Sequence, residues 1–67
     1  MASKYLNREQ VVAKFKKEVL PDVIKEVGND FNIIQHCWDI SLEQLVDAKS
    51  ITQSQKNMWV LKKEDLD

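Results

Sequence analysis

The chain reads as an all-α protein, a compact orthogonal mini-bundle of three to four helices with one long central helix. Three observations carry that expectation. The 67 residues include one glycine and one proline, and neither Asn-Gly nor Asp-Gly occurs, so the usual hairpin turns have no sequence to build them. Apolar residues recur at three- and four-residue spacing, as one face of a helix requires. Two stretches, "NREQ" and "TQSQ", have the form of helix-opening capping boxes, the first an imperfect one.

The elements follow in order. Asn7 caps the first helix, with Gln10 at its third position, and Leu6 and Val11 stand where a hydrophobic staple would close. Val12, Phe15 and Val19 then share a face, with Val11 and Leu20 beside it and Lys14, Lys16 and Lys17 around the other side. Pro21 cannot continue that helix but fits the start of another. "PDVIKEVG" is therefore a short second segment, with Val23, Ile24 and Val27 apolar and Gly28 as its stop. Asn29 or Asp30 caps the long third helix, expected from about Asp30 to Ala48, and Lys49 and Ser50 lead out of it. Thr52 and Gln55 open a short last helix carrying Met58 and Trp59. Residues 1–67 form one domain, with 1–5 and the charged 62–67 expected to fray.

A chain of this length buries only about 60% of its unfolded surface. One Cys closes no intrachain disulfide, and one Cys with one His falls short of the roughly four ligands of a structural zinc. Helix packing or self-association must then supply the stability. The formal net charge of −1 argues against general nucleic-acid binding. The apolar runs are too short to span a membrane. No apolar signal core opens the sequence, and a lone free Cys suits a reducing cytoplasm.

Charge is unevenly distributed. Residues 1–20 carry Lys4, Arg8, Lys14, Lys16 and Lys17 against Glu9 and Glu18. Residues 21–48 carry Lys25 against Asp22, Glu26, Asp30, Asp39, Glu43 and Asp47. At about 100° per residue, Ile34, Trp38 and Leu45 fall on one line of the long helix. Phe31 and Leu42 flank it on one side, Cys37 and Ala48 on the other, as a core-facing stripe. Opposite lie Asn32, His36, Asp39, Glu43 and Asp47, with Ile33 and Ile40 at the edge.

The run His36-Cys37-Trp38 resembles a site and is not one. Neighbours on a helix point about 100° apart, so His36 cannot reach the sulfur of Cys37 as a nucleophile–base pair requires. Cys37 and Trp38 belong to the core, and His36 to the polar face. With no nucleophile–base pair, no ligand cluster and no phosphate-cradling glycine loop, the chain is expected to be no enzyme and to hold no cofactor or metal.

The outer face holds the candidate partner-binding residues: Ile33, His36, Asp39, Ile40, Glu43 and Asp47. Asp39, Glu43 and Asp47 repeat at i,i+4 with no Lys between, a mutually repulsive arrangement. Ile33 and Ile40 need a cover, which the last helix, a partner or a second copy would supply. The expected function is a protein–protein interaction module. The alternatives are a small helical DNA-binding or transcription-modulating module, reading through Gln53, Gln55, Lys56 and Asn57, and a self-associating structural protein. Mimicry of DNA phosphate ranks low at so small a net charge.

"VLPDVIKEVG" at 19–28, then Trp38, then "ITQSQ" at 51–55 and Trp59 resemble a group of small uncharacterised helical proteins encoded by tailed phages and prophages. The likeness spans roughly residues 15–59. The chain differs from the group's pattern at Val27, where an aromatic often precedes the glycine, and at "AKS" (48–50), which replaces a glycine-containing turn. The expected interaction module would act as an inhibitor or modulator of a host protein. The resemblance itself implies a small phage accessory product in the cytoplasm of a bacterial host. It implies no activity and assigns no functional residue.

Overall fold

The structure, a computed structural model, describes residues 5–66. Four α-helices follow one another: α1 (Arg8–Glu18), α2 (Leu20–Val27), α3 (Phe31–Asp47) and α4 (Gln53–Met58). One 3₁₀ turn, Lys63–Leu66, comes last. The described residues contain no strand, and α3 is the long helix. The protein is all-α, as the sequence predicts.

α1, α3 and α4 start where a side chain takes up free amide groups, whereas α2 has no side-chain cap. Asn7 accepts from the Gln10 amide and Gln10 accepts from the Asn7 amide, a complete capping box. Thr52 and Gln55 repeat the arrangement at α4. Between the two candidates for α3, Asp30 is the cap, its carboxylate accepting from the Asn32 amide. Pro21 sits in the first turn of α2, where its missing N–H costs nothing; the helix begins one residue before it, at Leu20.

The helix ends differ in kind. Gly28 closes α2 at φ +82° and ψ −171°, a conformation open essentially to glycine alone. At the end of α3 the Lys49 amide donates to the Val46 carbonyl and the Ser50 amide to that of Leu45. That is a Schellman closure, and its left-handed position is occupied by Lys49 at φ +60°. The conformation costs an L-residue roughly 1–2 kcal/mol.

Val11, Phe15, Ile34, Trp38, Leu42, Ile51 and Leu61 form the core. Trp38 is at its centre with no exposed surface. The Phe15 ring meets it edge-on at 5.3 Å and 88°. The indole N–H donates to the Trp59 carbonyl at 2.8 Å, which leaves the buried nitrogen satisfied.

The structure shifts several expectations. Leu42 lies on the buried line of α3, while Leu45 is only half-buried and Ala48 is exposed. Val11, not Val12, is the fully buried valine of α1. The last helix ends at Met58, and Trp59 is its cap. α2 contributes no fully buried residue, and Ile24 and Val27 stay exposed.

Of residues 62–67, expected to fray, the structure describes 62–66. Asp65 is clamped by both Arg8 guanidinium arms, at 3.1 and 2.6 Å, and Leu66 packs against the core. A bidentate ion pair and an aliphatic anchor thus tie this charged stretch to the helices. Residues 1–4 and 67, also expected to fray, lie outside the described residues.

Candidate protein-binding face

Burial of Ile34, Trp38 and Leu42 fixes the rotation of α3 about its axis. Everything near 180° from that line must then face away from the core. Ile33, His36, Asp39, Ile40, Glu43 and Asp47 are all exposed, as the helical repeat predicts. Ile33 is 38% and Ile40 43% exposed. The last helix does not shield them in the way the sequence allowed: Met58 is itself 69% exposed, and the Trp59 side chain turns onto the core.

The face is acidic without compensation. α3 contains no Lys or Arg. Among the described residues the one ion pair joins Arg8 to Asp65, elsewhere on the molecule. Asp39, Glu43 and Asp47 follow one another over about 12 Å of helix axis. They occupy its C-terminal half, and Asp47 is its last residue, where the helix dipole disfavours negative charge by roughly 0.3–1 kcal/mol. A cation arriving from outside would relieve both the mutual repulsion and the dipole.

His36 and Cys37 separate as the helix geometry requires. His36 is exposed on the acidic face, and Cys37 is half-buried against the core. No group of three or more His, Cys, Asp or Glu side chains among the described residues is placed to hold a metal ion.

Two half-open grooves mark the surface. One, of about 660 Å³, lies between α2, the start of α3 and the C-terminal turn, with Leu20, Ile24, Phe31 and Leu66 in its walls. The other, of about 280 Å³, follows the seam of α1 and α3. Neither includes His36 or Cys37.

Two features of the structure have no clear mark in the sequence. The exposed Ile24 and Val27 were legible as apolar positions in "PDVIKEV", but not as uncovered ones. The second feature is a set of side chains from α1 and α3 that hold residues 59–61. Arg8, Gln35 and Trp38 stand far from these residues in the chain, and no motif announces the contact.

In comparisons with known proteins, no protein-family model matches the chain, and no curated protein or solved structure matches it significantly.

Proposed function

We propose that the protein is a small, non-enzymatic accessory protein that binds another protein through the outer face of α3. The observation that carries this reading is one surface with two uncovered isoleucines and three carboxylates that no cation of the described residues pairs. Its complement is a surface with apolar residues to cover Ile33 and Ile40 and Lys or Arg to meet Asp39, Glu43 and Asp47. The sequence likeness to phage-encoded proteins supports a host protein as the target, in the bacterial cytoplasm, inhibited or modulated by the contact.

DNA reading through the last helix has less behind it. The Gln55 side chain is spent on the capping box, and Gln53 donates to Asn57 instead of presenting a free edge. The six residues of α4 and the formal net charge of −1 offer few phosphate contacts.

The test is affinity capture from a bacterial lysate with the wild type and with the triple variant Asp39→Lys/Glu43→Lys/Asp47→Lys. The wild type retains a partner that the variant loses while its circular dichroism spectrum stays helical. Equal retention by both would reduce the acidic face to solvation. Solution mass separates the readings further: a dimer abolished by Ile33→Asp/Ile40→Asp would replace the foreign partner by a second copy.

A further inference from the structure

Residues 59–66 form a strap that returns across the core after α4. The strap's backbone–backbone hydrogen bonds are local: Trp59 to Gln55, Val60 to Met58, and Asp65 to Lys62. What ties it to α1 and α3 is a row of side chains. Trp38 donates to the Trp59 carbonyl at 2.8 Å, Arg8 to the Val60 carbonyl at 3.0 Å and Gln35 to the Leu61 carbonyl at 3.3 Å. Three successive carbonyls are thus held by three side chains. Between them Leu61 is buried to 2% exposure, and beyond them Arg8 clamps Asp65.

This is how a protein holds a peptide: main-chain acceptors fix the register, a buried aliphatic anchors it, and a charge pair sets one end. All the donors stand on α1 and α3, so none of them depends on which chain delivers the strap. The joint before it is weakly packed, since α4 has no buried residue and Met58 is 69% exposed.

We propose that the groove holding the strap accepts the strap of a second copy, so that two chains exchange residues 59–66 and form a reciprocal dimer. The occupant is fixed by the structure itself, because the seated ligand is a segment that every copy carries. Exchange keeps the strap's contacts with α1 and α3 and changes only their partner, while the Trp59–Gln55 and Val60–Met58 bonds at the joint open; the dimer grows with protein concentration. The strap groove is separate from the outer face of α3 and does not depend on the function proposed for that face.

Two charge variants test the exchange. Arg8→Asp brings two carboxylates together at the clamp, and Asp65→Arg brings two guanidinium groups together. Each variant alone restores nothing by exchanging with itself. In an exchanged heterodimer of the two, both clamps pair opposite charges again. The expected result is a lowered melting temperature for each variant alone. The equimolar, co-refolded mixture should show a species of twice the chain mass that melts well above either parent. A mixture that stays monomeric and melts like its parents would overturn the proposal.

Should the variants fail to fold even together, the wild type decides. At millimolar concentration, co-refolded labelled and unlabelled copies should give intermolecular nuclear Overhauser contacts between Leu61 of one copy and Trp38 of the other. Their absence overturns the exchange. Ile33→Asp/Ile40→Asp should leave these contacts unchanged, which separates this dimer from any formed over α3.

Discussion

Replacing Trp38 with Phe perturbs the point where the core and the strap meet. The side chain has no exposed surface, so the vacated volume cannot fill with water at no cost. The substitution removes about three heavy atoms, and a change of that size in a rigid core costs roughly 1–3 kcal/mol. It also removes the indole donor and leaves the Trp59 carbonyl without that partner, worth about 1 kcal/mol more. The edge-on contact with Phe15 at 5.3 Å is weakened as well. The expected loss is about 3 kcal/mol. A domain of this length has roughly 3–10 kcal/mol in all, so the variant lies near the limit of folding. The melting temperature should fall by about 12–24 °C. Urea titration followed by Trp59 fluorescence should show a lower midpoint with an unchanged slope. A loss below about 1 kcal/mol would refute the placement of Trp38 at the centre and the carbonyl contact that depends on it.

The two left-handed helix ends predict opposite signs. Lys49→Gly relieves a strained φ at the end of α3 and should stabilise the protein by about 0.5–1 kcal/mol after the greater freedom of the unfolded glycine is counted. Gly28→Ala meets no atom within 4 Å of the added methyl, so its whole cost, about 1–3 kcal/mol, comes from φ +82° and ψ −171°. Urea midpoints of both variants check this pair. Asp65 supplies a pH dependence. The Arg8 guanidinium, together with the Lys62 amide, holds its carboxyl below the usual range near 3.8. A depressed folded value means the stabilisation is full above the unfolded pKa and disappears as pH falls through the folded one. Wild type should therefore exceed Asp65→Asn by about 1 kcal/mol near neutrality and converge with it in acid; a constant gap down to pH ~2 would argue against the clamp.

Local chemistry was the legible part. Asn7, Asp30 and Thr52 announce helix starts because a short polar side chain at that place has one evident use, and Gly28 and Pro21 punctuate by backbone geometry. The exposed face of α3 was legible because the 3.6-residue period fixes it once the core line is known. The strap was not. Arg8 and Asp65 are 57 residues apart, and their pairing depends on how the chain returns, which no local pattern encodes. The Schellman closure is unmarked for a related reason: lysine carries no sign of a left-handed conformation. Exposure of Ile24 and Val27 likewise follows from where the tertiary packing ends.

On the proposed function, the outer face of α3 binds a protein. The most direct test takes the protein captured from lysate and measures its affinity by calorimetry for three chains: wild type, Ile33→Asp/Ile40→Asp, and Lys17→Glu, a control on exposed α1 surface. The isoleucine variant should lose at least roughly tenfold in affinity, about 1.4 kcal/mol, with helical content and melting behaviour retained. The control should bind like the wild type. Equal affinity of all three chains would contradict the assignment of α3 as the binding face.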